Sequence, residues 1–108
     1  GSVLTVNYVS GSSHRIQTMS LARRALPVGS RVLLVDDFMR AGGTLRGLME
    51  LMTEFESEVV GMGVLIEMEL ASPKLVQDYV SFINLHQIDP VNQVVKAAPA
   101  SWIQNSAD

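Results

Sequence analysis

Asp36 and Asp37 stand side by side, and Arg40, Ala41, Gly42, Gly43 and Thr44 follow them within the fourteen-residue run 31–44. Adjacent carboxylates offer hydrogen-bond acceptors in two directions, which suits the neighbouring hydroxyls of a ribose. Ala41, Gly42 and Gly43 keep bulky side chains away, so backbone N–H groups of a turn there can close on a phosphate; the glycines also reach backbone angles that other residues resist. Thr44 can cap a following helix or offer its hydroxyl to the same phosphate, and a helix start adds partial positive charge. Each feature alone is an ordinary turn former. Together, at this spacing, they suit a phosphorylated sugar.

Such a site needs a frame. Residues 32–35, four apolar positions rich in valine, suit a central strand of a parallel sheet covered on both faces. Asp36 and Asp37 then fall at its carboxyl end, the edge where open α/β sheets take ligands. After the turn, Leu45, Leu48, Met49 and Met52 recur at i, i+3, i+4 and i+7 and predict a helix with a core-facing stripe. Arg46 and Glu50 lie on its outer face as a pair worth roughly 0.2–0.5 kcal/mol. Two other phosphate loops are excluded. No lysine follows either glycine as a P-loop requires, and Gly42, Gly43 and Gly47 do not make Gly-x-Gly-x-x-Gly. Gly61-Met62-Gly63 supplies half of that fingerprint but lies in a strand-like stretch.

The remaining elements read more simply. Residues 4–9 and 15–20 alternate apolar and polar around the loop 10–13 and predict an antiparallel hairpin with a mobile tip. Arg15, Arg23 and Arg24 make this the most basic stretch, read as solvated charge, and His14 sits at its tip. Residues 27–30 form a turn. Residues 58–66 predict the next strand, 73–80 a short helix with Pro73 near its first turn, 82–86 a third strand and 91–95 an edge strand. Trp102 is the only strong anchor of a tail that has no evident element. Glu67 and Glu69 follow a strand at the same sheet edge as Asp36 and are secondary candidates.

Composition bounds the function. A chain of 108 residues is one domain or a piece of one, and 47% hydrophobic against 18% charged residues describes a globular interior. There is no cysteine for disulfides or thiolate metal sites. No signal-peptide pattern or membrane span is evident, so the expected location is cytoplasmic. A formal charge of -3 argues against nucleic-acid binding by overall electrostatics.

The stretch 35–44, Val-Asp-Asp-Phe-Met-Arg-Ala-Gly-Gly-Thr, resembles the phosphoribosyl pyrophosphate (PRPP) motif of type I phosphoribosyltransferases, and more closely the version in bacterial purine operon repressors. Stretches 7–13, 15–22 and 61–67 resemble those repressors too, and the likeness covers most of residues 4–85. The resemblance implies an α/β fold: a type I phosphoribosyltransferase-like parallel sheet with flanking helices and an N-terminal antiparallel flexible hairpin, truncated at its N-terminal side. It implies a single partial PRPP-binding domain over 1–108, following a winged-helix DNA-binding domain absent from this chain, with PRPP relieving repression of purine synthesis genes. By position, Asp36 and Asp37 would hold the ribose hydroxyls, while Arg40, Ala41, Gly42, Gly43 and Thr44 would cradle the 5′-phosphate. Residues 8–21 would form the flexible loop.

Arg40 separates sensor from enzyme. Hypoxanthine-guanine transferases carry there an acidic residue thought to act as a base on the purine, and a guanidinium does not release its proton near neutral pH. It can pair with phosphate. Ala41 also replaces a hydroxyl residue common in catalytic members. The hood over the nucleobase and the first strand with its pyrophosphate loop have no counterpart, so a half site is expected, with weak PRPP binding and no transferase activity. No catalytic residue and no protein-held metal are expected; Mg²⁺ with PRPP is left open. Family likeness suggests a homodimer that meets operator DNA only through the absent segment. The alternatives are a catalytic purine phosphoribosyltransferase and a PRPP synthase, from which the hairpin points away.

Overall fold

The computed structural model describes residues 2–10, 15–69, 73–89 and 94–105. The alternating N-terminal stretches form β1 (Val3–Val9) and β2 (Ile16–Ala22), paired antiparallel from Val3↔Ala22 to Val9↔Ile16. A single 3₁₀ turn, Arg23–Ala25, leads to the turn around Gly29, whose φ of 82° is a left-handed angle suited to glycine. The Ser30 hydroxyl closes that turn by donating to the Pro27 carbonyl at 2.6 Å. The hairpin tip, including His14, lies outside the described residues.

A second sheet has the order β3-β4-β5-β6, with β3 (Arg31–Met39), β4 (Glu58–Met68), β5 (Val80–Asp89) and β6 (Val94–Pro99). The first three strands run parallel and β6 returns antiparallel. Helix α1 (Gly43–Glu54) links β3 to β4, and a short α2 (Ser101–Asn105) ends the described chain. This is the mixed α/β fold expected, hairpin included. No helix among the described residues is long and apolar enough to cross a membrane.

Five local expectations are corrected. β3 does not stop at Val35 but continues to Met39, because the long β4 supplies partners as far as Met39↔Glu67. It is also the edge strand of the described sheet rather than a central one. Leu33 and Val35 are accordingly 64% and 66% exposed, since α1 covers only the other face. In α1 the buried stripe is Leu45, Leu51 and Met52 with Leu48 half-buried beside it, while Met49 is exposed: the hairpin and sheet meet the helix on the Leu51 side. No helix forms over 73–80: Asp78 takes a left-handed φ of 59°, which a right-handed helix excludes, and Leu75 N–H donates to Ala41 O of the loop after β3. The edge strand begins at Val94 and takes in Ala97 of the tail; residues 91–93 lie outside the described ones.

The core cluster joins Leu34, Met62 and Val64 of the sheet to Leu45, Leu51, Met52 and Phe55, with Met39 and Val76 closing one end. Leu4, Val6, Met19 and Leu21 of the hairpin pack against it. One helix is therefore held between sheet and hairpin, which fixes where its N-terminus points. In the tail, Trp102 meets Phe82 edge to face at 5.4 Å and donates its indole N–H to the Ser81 carbonyl at 2.6 Å.

Candidate functional site

Where β3 ends and α1 begins, the chain makes a tight turn against two distant segments. Gly42 is the residue before the helix and adopts φ 94°, in the left-handed region. A Cβ there would also lie 2.9 Å from Val76 Cγ2, so conformation and space both call for glycine. A Cβ on Gly43 would lie 2.0 Å from the Val9 carbonyl oxygen, because the hairpin's first strand ends directly over the helix start. Gly42, not Thr44, occupies the capping position and no side chain caps α1; Thr44 falls in the first turn and lines the cavity there. The Gly42 carbonyl accepts from Arg46 N–H at 2.9 Å. Among the described residues no acceptor takes the N–H of Ala41, Gly42 or Gly43.

All seven residues singled out by type and spacing, Asp36, Asp37, Arg40, Ala41, Gly42, Gly43 and Thr44, line one cavity of about 430 Å³. That volume falls within the range of about 300–1,000 Å³ usual for small-molecule sites. Phe38, Met39 and Leu45 complete the wall from the same run, while Ser10 and Met68 come from elsewhere. Ser10 is buried, its N–H donating to Arg15 O at 2.9 Å across the root of the hairpin. Nothing local in the sequence marks Ser10, since it reaches the site only through hairpin packing on α1.

The electrostatics of the acid pair are those of two carboxyls near one another. Asp37 N–H donates to Asp36 Oδ1 at 2.9 Å. Partial burial first, then the hydrogen bond and charge of the neighbouring Asp37 side chain, push the Asp36 carboxyl above its ordinary value of 3.8. A group that favours its charged form less than usual gains from a donor such as a sugar hydroxyl. Among the described residues no group of three His, Cys, Asp or Glu side chains could hold a metal ion.

Behind the turn lies a set of contacts that sequence reasoning missed. Lys74 Nζ donates to the Arg40 carbonyl and the Met68 carbonyl, each at 2.5 Å, and stands 3.9 Å from Glu67 Oε1. Leu75 N–H donates to Ala41 O at 2.7 Å. The Tyr79 hydroxyl donates to Glu67 Oε1, and burial followed by the Glu67 contact pushes the tyrosine well above its ordinary value of 10.0. Glu69 pairs with His86. Neither glutamate lines the cavity, and neither do Arg15, Arg23 or Arg24.

Comparisons with known proteins place most of the chain. The family profile described as phosphoribosyl transferase domain matches residues 4–101. The purine biosynthesis transcriptional repressor PurR of Bacillus subtilis (strain 168) is 53% identical over 104 residues, covering 96% of this chain and 36% of that protein. The purine biosynthesis transcriptional activator PurR of Lactococcus lactis subsp. lactis is 40% identical over 95 residues, covering 88% of this chain and 35% of that protein. The chain thus spans about a third of the length of these relatives. Among solved structures, the APRTase from Giardia lamblia complexed with 9-deazaadenine superposes with a TM-score of 0.68 at 24% identity, over 79% of this chain and 50% of that one. This shows the fold. The likeness to these purine biosynthesis regulators therefore extends across nearly the whole sequence, and the chain belongs to the phosphoribosyl transferase domain family.

Proposed function

We propose that this chain is the PRPP-sensing, non-catalytic effector part of a transcriptional regulator of purine biosynthesis genes. The observation that carries the reading is Arg40 in the cavity wall, beside the glycine turn and the acid pair. The turn and helix start offer N–H groups and partial positive charge to a 5′-phosphate, with Arg40 adding a fixed cation. Asp36 and Asp37 offer acceptors to the ribose hydroxyls. Where hypoxanthine-guanine transferases are expected to place a base, this chain places a group that cannot act as one.

The relatives named as purine regulators match this chain almost end to end, which supports a regulatory role over an enzymatic one. Contact with operator DNA is assigned to another segment of the gene product, consistent with the formal charge of -3 here. A homodimer and a cytoplasmic location belong to the same reading. Two carboxylates alone make a poor metal cage, so Mg²⁺ is assigned to the diphosphate of PRPP rather than to a protein site.

Calorimetric titration of the full gene product with PRPP, together with gel-shift assays on a purine gene control region, tests this. Binding of PRPP that weakens the DNA complex is expected; indifference to PRPP sinks the proposal. The second reading, a catalytic purine phosphoribosyltransferase, draws on the adenine phosphoribosyltransferase of Xanthomonas euvesicatoria, 52% identical over 46 residues. Release of pyrophosphate from PRPP with adenine, guanine or xanthine would establish that enzyme instead.

A further inference from the structure

The phosphate turn is anchored from behind by a residue far from it in sequence. In a trans peptide the C=O and N–H point in opposite directions, so fixing a carbonyl fixes where the next residue's N–H points. The Arg40 carbonyl is held by Lys74 Nζ at 2.5 Å and the Ala41 carbonyl by Leu75 N–H at 2.7 Å. These two peptides carry the N–H groups of Ala41 and Gly42, which find no acceptor among the described residues, and both residues line the cavity. The third carbonyl, of Gly42, is held by the helix through Arg46.

Lys74 is built into this position. Its side chain is only 19% exposed, and its ammonium also takes the Met68 carbonyl at 2.5 Å with Glu67 at 3.9 Å. An ammonium has three donors and no acceptor, so it bridges carbonyl groups at the ends of neighbouring parallel strands in a way no neutral apolar side chain can. Its charge is balanced by Glu67, which the Tyr79 hydroxyl in turn holds in place.

We propose that Lys74 is the positioning residue of the phosphate turn: by holding the Arg40 and Met68 carbonyls together it aims the turn's N–H groups at the ligand's phosphate without touching the ligand. This rests on the phosphoribosyl reading of the cavity. It makes affinity for a phosphorylated ribose depend on the segment that follows β4, and gives that segment a reason to remain non-helical.

The test is an amide NMR titration of the full gene product with ribose 5-phosphate and with PRPP, using wild type, Lys74→Met, Lys74→Arg and Glu67→Gln. Loss of the Arg40 anchor in Lys74→Met is expected to weaken both ligands about tenfold and to shift the Ala41–Gly43 amides before ligand is added. Lys74→Arg, which keeps the charge and the donors, is expected to restore binding to within about threefold of wild type. Glu67→Gln removes the charge partner but leaves both carbonyl bonds in place, and is expected to lose less affinity than Lys74→Met. Should Lys74→Met not fold, Lys74→Gln, with a shorter neutral donor, is expected to fall between it and Lys74→Arg. Binding by wild type that Lys74→Met or Lys74→Gln retains overturns the positioning role alone, as does an equal loss in Glu67→Gln. Failure of wild type to bind either ligand overturns the phosphoribosyl reading and this inference with it.

Discussion

At the scale of single residues, Asp36 sets stability against function. Burial and the nearby Asp37 raise its carboxyl above 3.8, so the folded state holds that proton more tightly than the unfolded chain does. The resulting stability is fully present below 3.8 and is lost as pH rises through the folded-state value. At neutral pH the ionised Asp36 is therefore a net cost to the fold. Asp36→Asn is expected to melt at higher temperature than wild type near pH 7, by less than about 1 kcal/mol because a half-exposed group is screened. Near pH 3 the difference should close. The same substitution is expected to lose about 1.5–3 kcal/mol of PRPP binding if a charged acceptor meets a ribose hydroxyl. Melting curves at the two pH values and one calorimetric titration check both halves. A variant less stable than wild type at neutral pH would refute the electrostatic account.

At the scale of elements, the strand-turn-helix frame was legible because its signals are local. Valine-rich strands, the glycine pair and the spacing of Leu45, Leu48 and Met52 each report on their immediate neighbours. What was illegible is what travels. Residues 73–80 carry a helix-compatible pattern, yet their first donors are spent on Arg40 and Ala41, and a pairing 34 residues apart leaves no periodic trace. An ideal stripe puts Met49 inside and leaves Leu51 out, because it does not say on which side a second element, here the hairpin, widens it. Ser10 was missed for the same reason. Gly47 makes that hairpin contact testable. Helix propensity alone says that Gly47→Ala should add up to about 1 kcal/mol to α1. A Cβ there would lie 2.7 Å from Tyr8 Cβ and 3.2 Å from Met19 Cε, so the hairpin must move off the helix. Gly47→Ala is thus expected to destabilise, by roughly 1–3 kcal/mol as overpacking does, with the amides of β1 and β2 losing hydrogen-exchange protection first. A gain in stability would show that the hairpin does not rest on α1 in solution.

At the scale of the whole molecule, the chain is a slab. Its extents are 50 × 38 × 20 Å and its radius of gyration is 15.9 Å, against about 13 Å for a compact domain of this length. The thickness is that of one sheet with one helix layer, and the core lies wholly on the α1 side. Leu45 and Val64 are fully buried there, while Leu33, Val35, Leu65 and Phe82 stand exposed across the other face, aligned by the Leu33↔Gly61 and Val35↔Gly63 register. The two faces should therefore respond to substitution in opposite ways. Leu45→Ala removes contacts on every side and is expected to cost about 2–5 kcal/mol in urea denaturation. Val35→Lys, at a position 66% exposed, is expected to change stability by no more than about 0.5 kcal/mol in dilute solution. If the open face is instead covered by a second copy of the chain, Val35→Lys will cost as much as a core substitution, and the loss will grow with protein concentration as mass action requires. Urea curves for both variants at two protein concentrations decide between a one-sided monomer and a sheet that is completed by association.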